Sequence, residues 1–218
     1  MVMNHTDIKT SRRIRGKIDS CLMRIDSAIA RDKDDSSCGK LSMDLTNAMT
    51  SYLSQLIEKA ERRAVLDAAL GLLADAIAVF ESAPLAWVER RLLQMKQWRE
   101  GQTWHSSLPE MDEADYQWPG ANTLAVAAED AWLAIHNYQD AKKLGSLAAS
   151  SMMGALEAIV EQRWGLRHLS EWNSAFTGRE FVDRSILMKL GASCDAARFR
   201  AHQYQRSLDR IESHLAKR

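Results

Sequence analysis

Three observations predict an all-α fold, a multi-helix bundle. All three prolines, Pro84, Pro109 and Pro119, fall within 36 residues, so long stretches on either side lack the strongest helix breaker. Runs of β-branched residues are absent. Apolar residues recur instead at spacings of three and four, the period of a helix with one buried face. At 218 residues with 46% apolar side chains the chain has material for a substantial core, and with no low-complexity linker it reads as a single helical domain.

Ile14, Ile18, Cys21, Ile25 and Ala28 predict a first helix over 7–30, closed by the polar run 31–40, so that residues 1–40 form an N-terminal helix and polar loop. Ser42 is placed to cap a second helix with the stripe Leu45, Met49, Tyr52 and Leu56. Leu66, Leu70, Leu73, Ile77 and Phe80 form another stripe out of phase with it, which predicts a bend between Lys59 and Arg63. Ser82 and Pro84 suit the start of the next helix and Gly101 its stop, followed by an irregular loop over about 101–118. Pro119 opens a further helix with Leu124, Ala128, Ala131, Trp132 and Ile135 inward. Asp140 caps the next, which runs to about Trp164. Its small residues, Gly145, Ser146, Ala148, Ala149, Ser150, Ser151, Gly154 and Ala155, allow close helix approach and predict a place at the centre of the bundle core, residues 41–178.

The last segment, 179–218, carries the seam Leu187, Leu190, Cys194, Ala197, Ala201, Tyr204, Leu208, Ile211 and Leu215 in a three-four alternation. Unbroken from Arg179, such a helix would span about 58 Å. It is expected to pack along the N-terminal helix or to pair with a second copy of itself, making a homo-oligomer.

The formal net charge is zero, which argues against a main task of coating DNA or a membrane. The distribution is uneven: residues 1–40 carry +3, residues 41–178 carry −7 and residues 179–218 carry +4. Between Arg99 and Lys142 there are 42 residues without a lysine or arginine but with eight acids. Glu110, Asp112, Glu113 and Asp115 concentrate in the irregular loop, beside Trp104 and Trp118. Exposed indoles anchor protein interfaces and acids steer basic partners, so these six residues are the expected partner-binding set.

Signs of chemistry are absent. Neither phosphate-loop pattern, nor G-x-S-x-G, nor H-E-x-x-H occurs, and no Glu-x-x-His pair suggests a di-iron bundle. Glu129 with His136, and Glu161 with His168, are two turns apart, about 10 Å, too far to share one ion unaided. No catalytic residue, metal or cofactor is therefore expected. Cys21, Cys38 and Cys194 are odd in number and scattered, which suggests neither a disulfide framework nor a zinc ribbon, and Cys194 reads as a small apolar seam residue. A reducing, cytoplasmic setting without a membrane span is the expectation.

The segment MDEADYQWPGANTLAVAAEDAWLAIHN, followed by AKKLGSLAASSMMGALEAIVE, resembles the central part of the YjaG-like family of small helical bacterial proteins. There too an acidic, aromatic, proline-bearing loop leads into two alanine-rich helices. The resemblance covers about 50 of 218 residues, implies an all-α bundle, and transfers no site, because the family has no established chemistry.

The leading functional expectation is a non-enzymatic module, of the kind immunity or inhibitor proteins exemplify, that covers a basic partner surface with the acidic Trp-bearing loop. The alternative is a helical subunit of a nucleoprotein complex of the CRISPR-like kind, binding nucleic acid through Arg12, Arg13, Arg15, Lys17, Arg198, Arg200, Arg206 and Arg210. Acids interleaved at Asp19, Asp26, Asp195 and Asp209 favour a salt-bridged solvated surface for those bases.

Overall fold

The computed structural model describes residues 5–31, 35–80, 85–101, 118–175, 186 and 192–216. All regular structure in these residues is helical: α1 His5–Ala30, α2 Asp35–Ile57, α3 Arg62–Ile77, α4 Ala86–Arg99, α5 Ala121–His136, α6 Ala141–Arg167, α7 Leu169–Ser174 and α8 Cys194–Ala216. The α6 helix is the hub, packing against α5, α3, α2, α8 and the short α7. On one flank α4 covers α5 and α3, and on the other α1 covers α2 and α8.

The expected bend falls between Ile57 and Arg62, and Gly101 lies just beyond the end of α4 with φ +75°. The proposed start at Ser82 and Pro84 lies outside the described residues. Pro119 precedes α5, and Gly120, at φ +78°, makes the turn into it. A side chain on Gly120 would meet the Ala158 carbonyl at 2.5 Å, so both the dihedral and the space require glycine. Asp140 caps α6 as expected, accepting from the backbone N–H of Lys142 at 3.1 Å and Lys143 at 3.0 Å.

Two boundaries differ from the sequence reading. The α2 helix begins at Asp35 rather than at Ser42, because Cys38, Leu41 and Leu45 already form a buried stripe within a segment whose polar composition reads as loop. The C-terminal helix is not continuous from Arg179. It starts at Cys194, where the Ser193 hydroxyl accepts from Ala196 N–H at 3.1 Å, and its 23 residues span about 35 Å. Leu187 and Leu190 lie outside the described residues. The rest of the seam, from Cys194 to Ile211, is buried within the chain against α1, α2, α3 and α6.

The cysteines require a correction. Cys38 and Cys194 form a disulfide, with Cα atoms 4.9 Å apart although 156 positions separate them in sequence. Spacing alone does not reveal this pairing, because helix packing brings the two together. Disulfides persist in oxidising surroundings, so the cysteine argument for a reducing compartment falls. Cys21 is the free thiol, buried, with burial pushing its pKa up. Among the described residues no helix is long and apolar enough to cross a membrane.

Under denaturing, non-reducing conditions a thiol titration should detect one of the three cysteines, and all three after reduction. Replacing Cys38 and Cys194 together by serine should lower stability by about 2–5 kcal/mol, read as a fall in Tm. Gly154 faces Ala127, and a Cβ there would lie 2.8 Å from the Ala127 Cβ. Gly154→Ala should therefore cost about 1–3 kcal/mol in urea unfolding, with Ala127→Gly on the same chain recovering part of the loss.

Candidate functional site

Along α6 the residues Ser146, Ser150, Met153, Glu157 and Glu161 recur at four, three, four and four, which places them on one face. Small side chains make this face shallow, while Leu144, Met152, Leu156 and Ile159 bury the others. Two helices flank the face. On one side α2 presents Thr46, Thr50 and Ser54, and on the other α5 presents Asn122, Thr123, Val126, Ala127 and Asp130. Between them lies a groove of about 610 Å³, floored by Ser146, Ala149, Ser150, Met153, Gly154, Glu157 and Glu161. Among the described residues its lining holds three carboxylates and no basic residue.

Each carboxylate is held differently. Asp130 accepts from the Ser150 hydroxyl at 2.5 Å, and Glu161 from the Thr123 hydroxyl at 2.6 Å, so both pairs bridge α5 and α6. Glu157 belongs to a knot that closes one end of the groove. Arg200 Nε donates to its two oxygens at 3.1 and 3.0 Å, and the Tyr204 hydroxyl donates to the same carboxylate. The Arg200 guanidinium also donates to Ser42, while Thr46 bonds the Tyr204 oxygen at 3.1 Å. Residues of α2, α6 and α8 thus meet at Glu157. Burial opposes the Arg200 charge, but the Glu157 carboxylate, together with Tyr204 and Glu161, more than offsets this and the guanidinium pKa rises. The Tyr204 phenol is pushed well up by burial and by Glu157, which keeps it a donor.

Glu161 has the opposite balance. Burial raises its pKa, the Thr123 hydrogen bond lowers it, and the Glu157 charge raises it further. A hydroxyl-lined groove with carboxylates along it can hold cations and amide or ammonium donors. Among the described residues no group of three or more His, Cys, Asp or Glu is positioned to hold a metal ion. The pairs considered from sequence are engaged separately: Glu129 takes Arg91 at 2.7 Å, His136 lies against Trp132, and His168 against Trp164.

Of the sequence-predicted partner-binding set, Trp104, Glu110, Asp112, Glu113 and Asp115 lie outside the described residues. Trp118 is half-buried against the core, and its indole N–H meets no acceptor among the described residues. The turn that follows is anchored close to the groove. Gly120 abuts Ala158 and Gln162, and Pro119 abuts Gly165, on the same stretch of α6 that carries Glu157 and Glu161. The described chain thus resumes at Trp118 close to the stretch of α6 that carries Glu157 and Glu161.

Several bases of the predicted nucleic-acid set bridge helices instead. Arg15 pairs with Asp209 at 2.8 Å and Glu212 at 3.0 Å, Arg198 with Asp26 at 2.9 Å, Arg200 with Glu157, and Arg210 with Asp75 at 3.1 Å. Arg12, Arg13, Lys17 and Arg206 are exposed. Sequence reading missed Asp130, Glu157 and Glu161. The available signal was the i, i+4 pair Glu157 and Glu161 on a helix otherwise rich in small residues.

No family model, curated protein or solved structure matches this chain.

Because the Glu161 pKa is raised in the folded state, its contribution to stability is complete below the ordinary glutamate pKa and is lost as pH rises through the folded value. Wild type and Glu161→Gln should unfold alike in acid, and wild type should lose stability relative to the variant as pH rises. Thr123→Val, which removes the hydrogen bond favouring the charged form, should enlarge that loss. Thermal melts across pH check both.

Proposed function

We propose that the protein is a non-enzymatic binding module that engages a basic surface on a protein partner through the carboxylate-lined groove and the acidic residues that precede Trp118 in the sequence. The observation that carries this reading is the lining of the groove, three carboxylates of which Arg200 pairs with Glu157, leaving Asp130 and Glu161 with hydroxyl partners. Such a surface attracts cationic partners over a Debye length and disfavours nucleic acid. An inhibitor or immunity role, in which the acidic face occupies a basic active surface, is the form that fits. The nucleoprotein alternative has less support, since Arg15, Arg198, Arg200 and Arg210 are engaged by carboxylates of the same chain.

Two variants test the proposal in pull-downs from the native host: Glu110→Gln, Asp112→Asn, Glu113→Gln and Asp115→Asn together, and Asp130→Asn with Glu161→Gln. A partner rich in surface lysine and arginine should be retained by wild type at low salt, released near about 0.5 M salt, and retained at least about tenfold less by each variant. Equal retention by wild type and both variants would refute a role for the acidic face.

A further inference from the structure

We infer that the groove receives one amphipathic α-helix of the partner, carrying lysine or arginine at two positions two to three turns apart on one face. This rests on the reading of the acidic face as partner-binding and specifies what enters it.

The groove follows α6 from Ser146 to Glu161, about 22 Å, the length of roughly four helical turns. Both walls are themselves helices, and alongside Met153, Glu157 and Glu161 the floor is made of the small residues Ser146, Ala149, Ser150 and Gly154. Side chains this small let a further helix approach to about 8–10 Å between axes. The walls offer no backbone to an extended peptide. The α2 hydroxyls turn inward to their own helix, Thr50 donating to the Thr46 carbonyl and Ser54 to the Thr50 carbonyl, each at 3.0 Å. An extended chain lying there would leave its own N–H and C=O groups unmatched, whereas a helix satisfies them internally.

The rim calls for an apolar stripe beside the charges. Val126, which lines the groove, is 56% exposed, and Leu133, beyond the lining, is 40% exposed seven positions further along the same face of α5, with Asp130 between them. That alternation of apolar, acidic and apolar residues complements an amphipathic cationic helix. The charge positions follow from the cross-helix pairs. Thr123 meets Glu161 and Asp130 meets Ser150, so the two carboxylates are separated by seven residues along α5 and eleven along α6, about 10 to 16 Å. Each accepts its hydroxyl at one oxygen, and the other oxygen takes no hydrogen bond from the described residues. Glu157 is already matched by Arg200 and Tyr204, so Asp130 and Glu161 are the recognition charges.

The test uses the full chain and fluorescein-labelled peptides of about 16 residues built from leucine, alanine and lysine. One peptide places lysines two and three turns apart on a single face. A second has the same composition scrambled, and a third replaces lysine by glutamate. Fluorescence anisotropy should show the first binding at least about tenfold tighter than the second, with no binding of the third. Ser150 is exposed on the groove floor, and Ser150→Trp, which fills the floor and removes the hydroxyl that Asp130 accepts from, should weaken the first peptide at least about tenfold in a chain that still melts cooperatively. Equal affinity for the first two peptides, or binding indifferent to Ser150→Trp in a folded variant, would overturn the helix assignment. So would peptide binding that appears only when residues 102–117 are replaced by a Gly-Ser linker, which would assign the groove to the chain itself. Self-association abolished by Ser150→Trp would likewise assign it to a second copy. If partner capture falls in the acidic variants while no helical peptide binds, the basic-partner reading stands and the helix fails. If the peptide binds but capture is unchanged, the groove accepts a cationic helix and the partner proposal fails.

Discussion

The contact between α5 and α6 at Gly154 and Ala127 sets the geometry on which everything else rests. With no side chain on Gly154 and one methyl group opposite, two helices approach to near backbone contact over a stretch where Ala127, Ala128, Ala131, Ala148, Ala155 and Ala158 are all essentially buried. Close axes mean that hydroxyls as short as Thr123 and Ser150 span the interface to reach Glu161 and Asp130. A wider spacing would leave those carboxylates without their donors and would turn a walled groove into a splayed surface.

Polar side chains fasten the outer helices to this axis. Arg200 and Tyr204 tie α8 to Glu157 of α6 and to Ser42 and Thr46 of α2. A second knot joins three helices at Glu212, which accepts from Ser11 at 2.7 Å, from Arg15 at 3.0 Å and from Tyr52. Half-buried ionic networks add little net stability compared with apolar packing of equal volume, but leaving one partner uncompensated is costly. Their effect is on register: α8 has small residues at Ala197 and Ala201, so its apolar seam alone discriminates poorly between positions one turn apart. The other flank uses an aromatic clamp, with Arg91 stacked between Trp87 at 5.2 Å and Trp132 at 4.6 Å and paired to Glu129.

Helix identity and the inward faces were legible because period and capping are local properties. Ile14, Ile18 and Ile25, Leu45 and Met49, Leu124 and Ala128, and Leu208 and Ile211 are buried as their spacing requires, and Asp140 caps where its position before α6 predicts. Boundaries failed where one turn is polar on its outer side, as at Asp35 to Lys40, and where a serine can either continue a helix or cap it, as at Ser193. The disulfide and the groove were not legible, since both are defined by side chains far apart in sequence. Small residues on α6 illustrate the difficulty: Ala148 and Ala155 face the core while Ser146 and Ser150 face the groove, and composition does not separate contact from space.

The Cys38–Cys194 bond has a topological consequence. It closes the chain into a covalent ring, with α1 on one tail and all of α8 but its first residue on the other. Nearly the whole of α2, together with α5 and α6, lies inside the ring, so both walls and the floor of the groove belong to one closed loop of backbone. Cleavage at a single peptide bond between residues 38 and 194 opens the ring without separating the pieces, and the walls of the groove stay parts of one molecule. The terminal helices brace that ring from outside.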